Sequence, residues 1–211
     1  MYTHEYQERR EPRAPSRPVV MPPLVEAMEW RMEQYLVGRG LAHWLAMENG
    51  WYPTMDDQSY ARAVIPASSI TNSWPYYQAR LIVEAPQAVR RYLSPAAPRG
   101  DALAVVFPSK CVAKGSVIVE GPMDALAAAG MGYVGIGLMG NTPNSLVLDH
   151  IESIVKVFGQ CFVIPDRDAF TEGASITADL WARGVRCTLK SIQGAKDLAE
   201  LSPERRKILI N

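Results

Sequence analysis

The second half of the chain alternates short apolar runs with longer amphipathic ones. Four apolar runs predict strands at 116–119, 133–136, 161–164 and 185–189. Three segments with helical spacing of apolar residues lie between them, at 122–129, 143–158 and 171–182, with Asn141 or Thr142 as the expected cap of the second. Strands that alternate with helices at this interval are typical of βαβ units, so this half predicts a parallel four-stranded sheet flanked by helices.

The first half predicts a mixture of helices and strands without an internal repeat. Helices are expected at 24–37, 41–49 and 86–93, and strands at 61–66, 78–84 and 102–107. Residues 1–23 are rich in charge and proline and have little to bury, which favours a disordered arm, although its arginines leave open an arm that touches nucleic acid. The predicted organisation is a disordered arm (1–23), a small mixed α/β subdomain (24–115) and an α/β domain (116–211).

Composition narrows the class of protein without deciding its function. Hydrophobic residues make up 48% and charged residues 21% of the 211 residues, as in ordinary globular proteins, and the formal net charge is zero. Any basic binding surface must therefore be local. The three cysteines, Cys111, Cys161 and Cys187, are far apart, which argues against a zinc site within this chain and fits a reducing cytoplasm. The sequence shows no membrane-length apolar run and no signal-peptide core, so we expect a cytoplasmic protein without membrane contact.

Carboxylates follow three of the four predicted strands of the second half. Glu120 follows the first strand, Asp166 and Asp168 follow the third, and Asp197 comes after the fourth strand and a loop. Right-handed βαβ crossovers bring the carboxyl ends of parallel strands to one edge of a sheet. We therefore expect these acids to meet at that edge.

The spacing of Asp166 and Asp168 suggests a site for a divalent cation. In an extended segment both side chains can point the same way, and two close carboxylates repel each other. Mg²⁺ relieves such repulsion, keeps several waters and binds substrate phosphates, so metal-assisted phosphoryl transfer is the expected chemistry. Each acid also has a simpler interpretation: an Asp-x-Asp after a strand is often a turn, and the helix dipole alone can explain Asp124.

Three segments resemble the Toprim domain of bacterial DnaG-type primases, phage primases, type IA and type II topoisomerases and several nucleases: Val119-Glu120-Gly121-Pro122-Met123-Asp124, Asp166-Arg167-Asp168 and Lys196-Asp197-Leu198. The resemblance covers about 116–211. It implies that Glu120 is the general acid/base and that Asp166 and Asp168 bind Mg²⁺ or Mn²⁺, an ion that Glu120 is also expected to contact. It also implies that Asp197 approaches the metal and that Lys196 assists at the nucleotide.

The first half resembles primases more than the other Toprim proteins. The matching segments are Tyr35-Leu36-Val37-Gly38-Arg39-Gly40-Leu41, Arg62-Ala63-Val64-Ile65-Pro66, Gln78-Ala79-Arg80 and Arg91-Tyr92-Leu93-Ser94-Pro95. This resemblance implies a DNA primase that makes short RNA primers on a single-stranded DNA template from nucleoside triphosphates, with Arg80 and Arg91 at the nucleotide and template. The compact size suggests a phage or mobile element. Two alternatives stay open: a Toprim nuclease or RNA-maturation enzyme, and a weakly catalytic accessory replication protein that binds nucleic acid.

Some features depart from that family. Primases carry a zinc ribbon ahead of this core, and the sequence shows none. Three explanations stay open: the ribbon belongs to a separate partner chain, it is dispensed with, or initiation is not the task of this protein. A replicative helicase is a further expected partner. Gly135-Ile136-Gly137-Leu138-Met139-Gly140 matches the G-x-G-x-x-G of dinucleotide-binding loops, but the predicted helix starts too late for that fold. We expect a glycine-rich strand end near the metal, with Gly140 beside the phosphates.

Overall fold

The fold is described from a computed structural model that covers residues 14–109, 112–140 and 142–210. Cys111 and most of the predicted arm, residues 1–13, lie outside the described residues. Within 14–23 there is no helix or strand. The carbonyls of Pro22 and Pro23 accept hydrogen bonds from the Tyr52 hydroxyl (2.9 Å) and from Thr54 Oγ1 (2.7 Å), so the end of the predicted arm contacts the fold. Disorder in the rest of the arm stays a prediction.

The first half forms two helices and a four-stranded antiparallel sheet. The helices are α1 (Glu29–Gly38), which follows a 3₁₀ turn at Glu26–Met28, and α2 (His43–Glu48). The strands, in spatial order, are β1 (Tyr52–Met55), β2 (Ala61–Pro66), β3 (Tyr77–Leu81) and β4 (Tyr92–Leu93). The prediction for β2 is confirmed at both ends. β1 was not predicted.

The helix predicted at 86–93 is wrong. Its first residues form a turn in which the N–H of Val89 donates to the carbonyl of Pro86 at 2.9 Å. Its last residues form β4, where Tyr92 pairs with Arg80 of β3. Pairing with a distant strand here overrides the helical spacing of the local sequence.

The second half is built on a five-stranded sheet. Its strands are β5 (Ala104–Val106), β6 (Ser116–Val119), β7 (Val134–Gly137), β8 (Cys161–Val163) and β9 (Cys187–Leu189), in the spatial order β5-β7-β6-β8-β9. The helices are α3 (Pro122–Gly130), α4 (Ser145–Phe158), α5 (Phe170–Ala182) and α6 (Pro203–Ile210). The four strands β6 to β9 are parallel, as predicted, and β5 adds an antiparallel edge. The α/β class with a mixed first subdomain is confirmed.

The sheet separates two apolar cores. α3 and the first half of the chain pack on one face, and α4 and α5 pack on the other, where the buried Cys161 and Cys187 behave as small apolar side chains. The chain runs from β6 to β7 and then crosses back over β6 to β8, so the strand order reverses at β6. A reversal of this kind opens a crevice at the carboxyl ends of the strands. None of the described helices is both long and apolar enough to cross a membrane.

Two glycines of the G-x-G-x-x-G match are explained by packing. A Cβ on Gly135 would lie 2.0 Å from the carbonyl oxygen of Ala125, and a Cβ on Gly137 would lie 2.8 Å from that of Gly121. Both glycines let α3 lie directly against β7. The cap predicted at Asn141 or Thr142 is wrong, because α4 begins later and Asn144 caps it by accepting a hydrogen bond from the N–H of Val147 at 3.1 Å.

A buried carboxylate, Asp101, fastens the loop after β2 to α4. It accepts hydrogen bonds from the Ser69 hydroxyl, from the N–H of Ile70 (2.8 Å) and from Thr71 Oγ1 (2.6 Å), and it lies 3.2 Å from Nδ1 of His150. Burial opposes ionisation, but the hydrogen bonds from Ser69 and Thr71 outweigh it and lower the pKa of Asp101. The ionised carboxylate therefore stabilises this junction.

Candidate active site

Glu120 connects the ends of three neighbouring strands. Its Oε1 accepts a hydrogen bond from the backbone N–H of Asp166, beyond β8, at 3.1 Å. Its backbone carbonyl accepts a hydrogen bond from the N–H of Met139, beyond β7, at 3.0 Å. The structure thus brings Glu120 and Asp166 together at the carboxyl edge of the sheet.

The segment with Asp166 and Asp168 is a turn and not the extended backbone predicted. The N–H of Ala169 donates to the carbonyl of Asp166 at 3.0 Å, and α5 starts at the next residue. Asp166 is half-buried and Asp168 is exposed. Asp166 is therefore the more enclosed of the two acids, while Asp168 is open to solvent two residues further on.

Asp197 and Lys196 reach this edge from the segment after β9. The carbonyl of Lys196 accepts a hydrogen bond from the N–H of Arg167 at 2.9 Å, which joins the segment to the Asp166 turn. Asp197 caps the 3₁₀ turn Leu198–Glu200 by accepting a hydrogen bond from the N–H of Glu200 at 2.8 Å. This capping bond is the simpler reason for an acid at 197, but it does not remove the negative charge from the edge.

Asp124 is also a member of the site. From the sequence, the helix dipole alone was a sufficient explanation for an acid at this position. It lies in the first turn of α3, is buried, and its Oδ1 accepts a hydrogen bond from the N–H of Ala199 at 2.8 Å. This bond fixes the turn that carries Asp197 against α3. The signal in the sequence was an acid in an otherwise apolar helix, Pro122–Gly130, of which nearly every residue is buried.

The carboxylates at this edge repel one another. Burial and the nearby charge of Asp197 raise the pKa of Asp124 to about 7, and burial and the charge of Glu120 raise the pKa of Asp166 to about 6. Asp197 and Asp168 add to the effect on Asp166, whereas Lys196 opposes it. The protein therefore holds more negative charge at this edge than its own cations neutralise.

This donor set suits Mg²⁺ or Mn²⁺. In the part of the chain that the structure describes, no group of three or more His, Cys, Asp or Glu side chains could hold a metal ion by itself. Mg²⁺ does not require such a cage, because it binds through one or two carboxylates and completes its shell with waters and substrate phosphates. The unneutralised charge at Glu120 and Asp166 fits an ion of that kind.

A group of arginines and tyrosines from the first half faces the acids from the α3 side. The guanidinium of Arg80 lies 5.7 Å from the ring centroid of Tyr35 and 4.8 Å from that of Tyr92, and that of Arg39 lies 5.9 Å from Tyr35. The charge of Arg39 partly opposes the rise in the pKa of Asp124, so Arg39 lies within electrostatic range of that acid. We call Tyr35, Arg39, Arg80 and Tyr92 the arginine–tyrosine cluster.

Three polar atoms of this cluster are buried without a partner. They are Nε of Arg39, Nε of Arg80 and the hydroxyl oxygen of Tyr35, all within the described residues. Unpaired buried donors are rare and costly, so they indicate a group that completes them. An anion held next to the carboxylate edge would do so.

The remaining predicted residues lie at the margins of the site. Arg91 is exposed, one residue before Tyr92. Gly140 has a left-handed backbone, with φ of 75°, and a Cβ there would come within 3.2 Å of Nη1 of Arg99. The preceding Met139 also has positive φ, 55°, and its carbonyl accepts a hydrogen bond from Nε2 of Gln78 at 3.1 Å. A role for Arg91 or Gly140 at the nucleotide stays a prediction.

Solved structures show what this arrangement resembles. No family model matches the chain, and no curated protein matches it. The structure of the Aquifex aeolicus primase with its zinc-binding and RNA polymerase domains superposes with a TM-score of 0.64 at 16% identity, over 85% of this chain and 55% of that one. The chain has the fold of a DnaG-type primase core.

Two structures of a second primase domain also superpose on this chain. The RNA polymerase domain of Mycobacterium tuberculosis primase DnaG superposes with a TM-score of 0.61 at 13% identity, over 86% of this chain and 75% of that one. The same domain in complex with a double-stranded DNA oligomer with a 6-nucleotide overhang superposes with a TM-score of 0.60 at 13% identity, over 85% of this chain and 71% of that one. The chain spans about 55% of the Aquifex chain, so the primase-core fold accounts for part of that protein only.

Proposed function

We propose that this protein is a DNA primase core that joins ribonucleotides on a single-stranded DNA template. The observation that carries the proposal is the pairing of two opposite features at one edge. Carboxylates with raised pKa values meet there, and two arginines of the first half, whose Nε atoms are buried without a partner, lie on the neighbouring face. Phosphoryl transfer needs both features: one to hold a metal ion and one to hold the phosphates.

Asp166 and Asp168 would hold the divalent ion together with waters and substrate phosphates, with Glu120 and Asp197 close by. When bound, the ion supplies charge neutralisation at the phosphates and acidifies the attacking hydroxyl. Asp124 positions Asp197 through Ala199, and Lys196 adds a positive charge near Asp166.

The arginine–tyrosine cluster would bind the triphosphate. The guanidinium groups of Arg39 and Arg80 both lie over the ring of Tyr35. A guanidinium can make bidentate contacts to phosphate oxygens. Glu120 is the side chain at the edge that can accept the proton of an attacking 3′-hydroxyl, in line with the general acid/base role that its resemblance implies. The template would be single-stranded DNA, and the crystallised M. tuberculosis domain bound to an overhanging DNA duplex supports a nucleic-acid partner for this fold. A replicative helicase and a separate zinc-ribbon protein remain expected partners.

Primer synthesis with purified protein tests the proposal. The reaction contains labelled nucleoside triphosphates, single-stranded DNA and Mg²⁺ or Mn²⁺, with and without a zinc-ribbon protein. We expect short oligonucleotides from the wild type and from Asp179→Asn, which changes an exposed carboxylate of α5 away from the edge. Asp166→Asn should remove them. Metal-dependent cleavage of labelled nucleic acid without any synthesis would instead identify a Toprim nuclease.

A further inference from the structure

A cavity of about 320 Å³ opens beside Glu120 on the face of the sheet opposite the arginine–tyrosine cluster. Its floor is apolar and belongs to the core under α4 and α5: Ile118, Leu138, Val163 and Ile176. Pro165, Ala169 and Gly173 form the side next to the Asp166 turn. The arginine–tyrosine cluster packs on the other core, with α3. Glu120 therefore stands between two different binding environments.

The rim of this cavity carries two carboxylates. Glu120 and the exposed Glu172 both line it. Negative charge at the rim disfavours a triphosphate, which the arginines on the other face attract instead. An uncharged planar ring with N–H donors is favoured, because its faces can pack on apolar side chains while the carboxylates accept its hydrogen bonds. A nucleobase has these properties, and the volume is sufficient for one with its sugar.

Nucleotidyl transfer requires two reactants that meet at one centre. We propose that this cavity, which we call the acceptor cavity, binds the nucleoside part of the nucleotide whose 3′-hydroxyl attacks; the proposal rests on the proposed function. The 3′-oxygen forms a bond to the α-phosphorus of the triphosphate held by the arginines. The bond from that phosphorus to the bridging oxygen breaks, pyrophosphate leaves, and the hydroxyl proton passes to Glu120 and then to solvent.

Binding can be tested without catalysis. Saturation-transfer NMR is recorded with unphosphorylated adenosine, guanosine, cytidine and uridine in the presence of EDTA. We expect a signal with the wild type and a loss of at least about tenfold in affinity with Ala169→Leu, whose larger side chain fills the cavity. Ala182→Leu makes the same change at the exposed end of α5 and should bind like the wild type. Glu172→Gln, a surface change with little risk to folding, should weaken binding several-fold.

A kinetic comparison tests whether the acceptor cavity binds the attacking nucleotide. In Ala169→Leu the KM for the first nucleotide should rise at least about tenfold, whereas the KM for the incoming nucleotide on a preformed primer should change little, because template pairing already holds that acceptor. The proposal is overturned if the wild type binds no nucleoside, if both cavity variants bind normally, or if both KM values rise together. Absence of any primer in the wild type contradicts the proposed function itself, and the NMR result then still shows whether the cavity binds nucleosides.

Discussion

Replacing Arg206 with alanine should destabilise the protein and loosen the candidate site at the same time. Arg206 lies in α6, is 4% exposed, and its guanidinium donates to four carbonyls. Two belong to the turn that carries Asp197: Leu198 at 3.1 Å and Ala199 at 2.6 Å. Two belong to the end of α1: Gly40 at 2.9 Å and Arg39 at 3.2 Å. One side chain therefore joins the two halves of the chain behind the carboxylate edge.

The expected loss follows from these four bonds. A buried hydrogen bond contributes about 1 kcal/mol net, and carbonyls left without a donor add to the cost. The cost of burying the charged group, which also lowers the pKa of Arg206, offsets part of this contribution. We expect the free energy of unfolding to fall by about 4 kcal/mol, or roughly 10 °C in Tm for a chain of this length.

Urea unfolding and thermal melts check the value. Arg205→Ala is the matched control, because Arg205 is exposed and donates at 2.9 Å to a surface carbonyl, that of Gln193. The free energy of unfolding of Arg205→Ala should stay within about 0.5 kcal/mol of the wild-type value. Equal losses in the two variants would show that the four carbonyl contacts of Arg206 do not stabilise the junction, and the reasoning would fail.

Three further predictions concern the carboxylates of the edge and of the Asp101 junction. The double variant Asp166→Asn with Asp168→Asn should reduce nucleotide incorporation at least about 100-fold and abolish the rise in Tm on adding Mg²⁺. Its Tm in EDTA should equal or exceed that of the wild type, and a lower Tm in EDTA would contradict repulsion between the carboxylates. Asp124 has a pKa of about 7 in the folded protein against an ordinary value of 3.8, so its ionisation costs nothing below pH 4 and costs most above pH 7. In EDTA, wild-type stability should therefore fall more steeply between pH 5 and pH 8 than that of Asp124→Asn, and parallel urea-unfolding profiles would refute this. Asp101→Asn should lose about 2–4 kcal/mol at neutral pH. Because the pKa of Asp101 is lowered, its contribution should disappear as the pH falls below the usual value of 3.8, and equal acid sensitivity of wild type and variant would argue against it.

The parallel sheet could be predicted because each of its strands is a short apolar run bounded by turn residues. β6 (Ser116–Val119) was placed at both ends, and β8 and β9 within two residues. Elements that depend on distant partners could not be found in this way. β4 exists because Tyr92 and Leu93 pair with β3, and α6 buries only Arg206 and Ile210, so its sequence shows no apolar stripe.

The candidate site could likewise be predicted from the sequence only in part. Topology alone brings Glu120 and Asp166 together, because both follow parallel strands whose ends share an edge. No local pattern places Arg39 near Asp124, since that neighbourhood depends on how the first half packs against α3. The helix dipole was a sufficient reason for an acid at 124, and the hydrogen bond to Ala199 became visible only in three dimensions.

The two halves of the chain contribute charges of opposite sign, and neither charge is satisfied within its own half. Nε atoms of Arg39 and Arg80 are buried without partners, and the pKa values of Asp124 and Asp166 are raised. A fold selected for stability alone would replace such groups by apolar ones or move them apart until each pair was neutral. Arg39 acts on Asp124 but does not offset the rise in the pKa of that carboxyl. A ligand that carries both a cation and phosphates would pair with both groups, and a nucleoside triphosphate with its divalent ion is such a ligand.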